Sequence, residues 1–232
     1  MISKRRIAVL LMVVMPWLAG AGDVASGQDF QPGPFGFVRL LNAVSAGGGK
    51  LDFLVDGQPV RPEGYQLGNV TGGIALRPRS YQILIRRDGV TAGRTQLTVV
   101  ANETTTLVPF AEQVPATEHE AAHWAIRILR LKPHPPVESR TASFVSVARQ
   151  PALTVAIRQA NGKWESLEVK RLATARAPIR QARGYLPVRC NGQPLSAISV
   201  AATGNFVAVL YDDSNGTIRS ATYQDYQYRS AD

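Results

Sequence analysis

The stretch ALTVAIRQANGKWESLEVK, Ala152 to Lys170, carries the strongest turn signal in the chain, Asn161-Gly162, between the strand-forming runs LTVAIRQ and WESLEVK. An Asn-Gly pair tolerates the backbone angles that reverse a chain tightly, so the stretch reads as a β-hairpin. Working outward, RTASFVSVARQ precedes it, and GYLPVRCNGQPLSAISVAATGNFVAVLYDD follows it as further short strand formers. In the first half, FVRLLNAV, KLDFLVDGQPV with its Asp56-Gly57 turn, GGIALRPRSYQILIRRDG and RTQLTVVANETTTLVPF repeat the pattern. Strands at this spacing predict an all-β protein of two tandem immunoglobulin-like β-sandwich domains.

The halves resemble each other. Asp88 to Phe110 and Asn191 to Tyr211 share the order turn dipeptide, strand, polar turn, and strand ending in an aromatic residue. FVRLLNA likewise pairs with AIRILRL, each as the opening strand of its half, which implies duplication of one unit. Between them AEQVPATEHEAA is polar and holds Pro115, so a linker is expected at 113–122. The N-terminal sandwich is then 35–112 and the C-terminal one 123–212, with a polar tail at 213–232 bearing Tyr223, Tyr226 and Tyr228.

The linker contains H-E-x-x-H: His119, Glu120 and His123. Two histidines four apart on a helix can grip zinc while the glutamate activates water. Pro115 just before and strand formers just after leave room for two helical turns at most. The remaining histidine, His134, sits in KPHPP, so no third ligand is evident, and His119 and His123 are weak metal candidates. No catalytic residue, metal or cofactor is expected. No nucleophile elbow, phosphate loop or dinucleotide fingerprint occurs. Cys190, the only cysteine, alternates with Arg189 and Pro187 and is expected inside a strand face.

The opening MISKRRIAVLLMVVMPWLAGAG has a basic start, an apolar run too short to span a bilayer comfortably, and Ala19-Gly20-Ala21. It reads as a signal peptide, 1–21 with an alternative cut after Gly27, followed by an extended leader at 22–34; the expected location is the periplasm. Without Lys4, Arg5 and Arg6, basic residues outnumber acidic ones by about six. Outside the cytoplasm such a surplus favours anionic polysaccharide, headgroups or acidic proteins, with no nucleic acid expected. Lys170, Arg171, Arg176, Arg180, Arg183 and Arg189 crowd into twenty residues and form the candidate partner- or polyanion-binding set, since guanidinium forks suit carboxylates.

The opening FVRLLNA, the run WAIRILRL, the hairpin ALTVAIRQANGKWESLEV and the close GNFVAVLYDD together resemble the periplasmic F component of bacterial alginate O-acetylation. The resemblance implies a two-domain β protein that assists acetyl transfer to an exported polysaccharide. Its implied partners are periplasmic acetyltransferase and membrane acyltransferase components. The Arg-rich run and the long tail depart from that pattern and leave the polymer open. An exported surface or matrix binding module without an acetylation role is the alternative. An enzyme, whether a zinc hydrolase at His119, Glu120 and His123 or an acetyltransferase acting through Ser or Cys190, is the third class.

Overall fold

Alternation along Ser80–Asp88 shows how strands are specified here: Tyr81, Ile83 and Ile85 are buried, while Gln82 and Arg86 face water. The computed structural model describes residues 34–132, 140–181, 183–201 and 205–225. The expected signal peptide and leader, up to residue 33, lie outside them, as do Tyr226 and Tyr228. Among the described residues every regular element is a strand. The first half holds β1 (Gly36–Leu40), β2 (Gly48–Val55), β3 (Gln58–Pro59), β4 (Ile74–Leu76), β5 (Ser80–Asp88), β6 (Val90–Thr98), β7 (Thr104–Val114) and β8 (His123–Leu131). The second holds β9 (Thr141–Ser146), β10 (Ala152–Arg158), β11 (Trp164–Lys170), β12 (Thr174–Pro178), β13 (Gly184–Leu186), β14 (Val188–Cys190), β15 (Gln193–Pro194), β16 (Ile198–Val200), β17 (Asn205–Asp212) and β18 (Ile218–Asp225).

The two halves share one topology. In the first, β3-β2-β5-β6 and β8-β7-β1-β4 are neighbouring sets, joined through a single bridge between Thr91 and Ala125. In the second, β11-β10-β14-β15 and β12-β9-β17-β18 repeat both sets strand for strand. The parallel pair β1 with β7 matches the parallel pair β9 with β17. The short β13–β16 ladder has no counterpart in the first half. Gly93 lets β6 and β8 approach, since a Cβ there would lie 2.8 Å from Ile126 Cγ2 and 3.0 Å from its carbonyl oxygen.

Two assignments made from the sequence change. AIRILRL does not open the second half: it lies in β8, pairs antiparallel with β7, and is the counterpart of β18. The linker and the start at residue 123 therefore give way to a junction between Leu131 and Thr141, because β7 runs on to Val114 and residues 115–122 return the chain into β8, its antiparallel partner. The tail beginning at residue 213 instead supplies β18, an edge strand paired along all of its length with β17.

Each repeat has its own core. Val38, Leu40, Leu51, Phe53, Ile83, Ile85 and Leu107 fill the first. Phe144, Leu153, Val155, Ile157, Val188 and Leu210 lead the second, with Cys190 buried among them as expected. A third apolar layer joins the repeats: Leu41, Val108 and Phe110 against Val145, Val209 and Tyr211. These are equivalent faces, β1 and β7 meeting β9 and β17, so the repeats pack as an isologous dimer would within one chain.

Polar groups lock this seam. Arg171 donates from Nη2 to Glu112 Oε1 at 3.0 Å and from Nε to the Ala148 carbonyl at 3.1 Å, with its guanidinium 5.7 Å from the Phe110 ring centre. Arg127 also donates to Glu112, at 3.2 Å. The hydrogen bond from Arg171 is the largest influence holding the Glu112 carboxyl below its ordinary pKa. Fully buried Asn42 donates from Nδ2 to the Tyr65 carbonyl and accepts from the Val44 amide through Oδ1. Its carbonyl accepts from the Gly68 amide at 2.8 Å, which brings Gly68 against the Tyr211 hydroxyl.

Candidate functional site

Strand register determines where the predicted cationic set goes, and it does not form one surface. Arg171 belongs to the seam. Arg176 lies on β12 opposite Ser143, and Arg180 pairs with Glu165 at 3.2 Å. Arg183 is exposed before β13. Lys170 and Arg189 share the outer face of the β11-β10-β14-β15 sheet, where the Arg189 guanidinium sits 4.4 Å from the Trp164 ring centre. Strand alternation and the intervening turns send neighbours in sequence to separate surfaces.

The H-E-x-x-H residues lie on a turn and a strand. The Thr117 hydroxyl accepts from the Glu120 amide at 3.1 Å, and the Thr117 amide donates to the Glu120 carbonyl at 2.8 Å. His123 opens β8, its Nδ1 3.3 Å from Glu120 Oε1. The spacing that would align two imidazoles on a helix therefore does not operate, and among the described residues no group of three or more His, Cys, Asp or Glu is placed to hold a metal.

The structure brings other residues together at one end of the seam. A cleft of about 330 Å³ is floored by Ser143 and Val145 of β9, Val207 of β17 and Tyr223 of β18. Thr174 of β12 lines its side, and Arg130, Leu131 and Lys132 at the end of β8 overhang it. The floor follows from register, because Ser143 lies beside Val207 and Val207 beside Tyr223. A second depression of about 400 Å³ adjoins it, shares Arg130 and Lys132, and is lined on its far side by Gln96, Thr98, Glu103 and Thr105. The two cations thus line both hollows.

These groups differ in freedom. Arg130 is fixed, its Nη2 donating to the Gln96 carbonyl at 2.8 Å and to the Thr95 hydroxyl. Lys132 has no hydrogen bond or ion pair among the described residues, so its ammonium can reach either hollow. Burial pushes the Tyr223 hydroxyl above its ordinary pKa, and hydrogen bonds with Thr106 and Arg39 partly oppose this. Arg39 is itself buried and stacks on the Tyr223 ring at 4.3 Å. Ser143 is 1% exposed, and its hydroxyl makes no hydrogen bond within the described residues. A buried hydroxyl without a partner costs about 1–3 kcal/mol.

None of the cleft residues was singled out from the sequence except Tyr223, which was assigned to the tail. The only signal available was the basic end of the run HWAIRILRLK. Ser143, Thr174 and Tyr223 converge from three distant strands, which no local pattern shows.

No family model and no curated protein matches the chain. Among solved structures it is similar to the crystal structure of CBMbc (family CBM26) from Eubacterium rectale Amy13K in complex with maltoheptaose, at 8% identity over 82% of this chain and 97% of that chain. The TM-score is 0.26, so the site rests on this chain's own residues.

Proposed function

We propose that the chain is an exported two-repeat binding module whose seam cleft takes a short stretch of acidic polysaccharide. The observation that carries this reading is the Ser143 hydroxyl, buried and unpartnered at the floor of a cleft overhung by Arg130 and Lys132. Sugar hydroxyls can satisfy Ser143 and Thr174, and carboxylates can pair with the two cations, a charge-assisted contact stronger than a neutral hydrogen bond. The adjoining hollow extends the track beyond one sugar ring. Among the described residues the lining of the first hollow combines hydroxyls, cations and apolar side chains, a mixture suited to gripping a sugar ring and its acidic substituent.

The test is calorimetric titration of the full chain with a hexagalacturonate and, as neutral control, a cello-oligosaccharide of the same length. Ser143→Val fills the floor and Lys132→Glu reverses the rim charge. Each is expected to weaken the acidic ligand at least tenfold, with little binding of the neutral one. Equal affinity in wild type and both variants would remove the cleft from the reading. The acetylation role is supported by the order of sequence blocks alone. It expects that deleting the gene in its host lowers the acetyl content of the exported polymer, and unchanged acetyl content would end it.

A further inference from the structure

The duplication supplies an internal template for the outer sheet faces. The turn dipeptide Asp88-Gly89 at the end of β5 matches Asn191-Gly192 after β14, which makes Arg189 the counterpart of Arg86. In the first repeat Arg86 lies opposite Asp52 on β2 and pairs with it at 3.2 Å. In the second repeat the residue opposite Arg189 on β10 is Ala156. The carboxylate is gone, and the guanidinium reaches past Ala156 onto Trp164, which remains 37% exposed. Arg158 lies directly opposite Trp164, is exposed, and donates from Nε to the Gly162 carbonyl at 3.3 Å.

We propose that this face is a docking surface for an acidic segment of a partner protein, one of whose carboxylates takes the place that Asp52 holds in the first repeat. Stacking on the indole fixes the plane of the Arg189 guanidinium while leaving its N–H edge open, which prepares a two-pronged grip on a carboxylate. The face is a sheet surface with small Ala156 and Ser166 at its centre, and Trp and Arg are the residues that dominate protein interfaces. Lys170 adds a third cation on the same face, and Glu168 is the acid beside it. The surface is separate from the seam cleft and does not depend on what fills it.

The test places a photo-crosslinking amino acid at Ser166 in the full chain, expressed in its host, with Gln82 on the equivalent first-repeat face as control. The expected result is a protein adduct at Ser166, mapped to an Asp- or Glu-rich peptide and absent at Gln82. Ala156→Asp supplies the missing carboxylate from within and is expected to cut the adduct at least fivefold while the melting temperature holds. Arg189→Gln is expected to do the same by removing the guanidinium, should Ala156→Asp fold poorly. Lys132→Glu, which disables the seam cleft, is expected to leave the adduct intact. The proposal is overturned if the adduct survives both face variants, if equal adducts form at Gln82, or if only glycan or nothing is captured.

Discussion

Replacing Gly68 by alanine probes the packing of one repeat on the other at a single point. Gly68 sits in the first repeat at φ +81°. Placing an L-residue there costs about 1–2 kcal/mol from backbone crowding alone. The new Cβ would also overlap the hydroxyl of Tyr211, a residue of the second repeat that is 7% exposed and has little room to turn. Overpacking of that kind adds about 1–3 kcal/mol, so Gly68→Ala is expected to destabilise the protein by roughly 2–5 kcal/mol in total. Tyr211→Phe removes the overlapping atom, and the next nearest, Cζ, is 3.5 Å from the added Cβ, an ordinary contact. The double variant should therefore keep only the backbone cost, giving a favourable coupling of about 1–3 kcal/mol between residues far apart in sequence. Urea unfolding of the four proteins measures this directly. Additive effects within about 0.5 kcal/mol would refute the seam as described.

Three further outcomes follow from separate features. Gly93→Ala forces β6 away from Ile126 and is expected to cost about 1–3 kcal/mol, with faster amide exchange in β8; a neutral result in thermal melts would mean that the two strands do not meet there. Glu112 has a folded pKa below its ordinary value of 4.5, so its contribution is complete above that pH and is lost as pH falls through the folded value. Glu112→Gln should accordingly flatten the acid limb of a stability-against-pH curve, and an unchanged limb would deny the link to Arg171. Cys190 is 2% exposed with its thiol pKa raised by burial, so a thiol reagent should label it only at the rate of unfolding, and fast labelling of the native protein would contradict its place in the core.

Local signals in the sequence carried the all-β fold because each is written within a few residues. Asp56-Gly57 forms a two-residue turn with φ values of 48° and 80°, as its composition indicates. Asn161-Gly162 also turns the chain, but within a wider loop, because Arg158 pairs with Trp164 and only Gly162 takes positive φ. The strand carrying AIRILRL shows why allegiance was harder to read. Its apolar residues fit either repeat, and only hydrogen bonding to β7 settles which sheet it completes. The strand Ile218–Asp225 reads as a polar tail because most of its side chains are polar, although only Arg219 is exposed; Ala221 and Tyr223 pack into the seam and Ile218 against the second core. The cleft was hidden for the same reason on a larger scale, since Ser143 means nothing until Val207 and Tyr223 are laid beside it.

Hydrogen–deuterium exchange of the full chain with and without hexagalacturonate tests the seam cleft most directly. Protection is expected only at the end of β8 near Arg130, in β9 around Ser143 and in β18 around Tyr223, with β2 and β3 unchanged. Protection spread evenly over the basic surface, or none at the seam under saturating ligand, would contradict it.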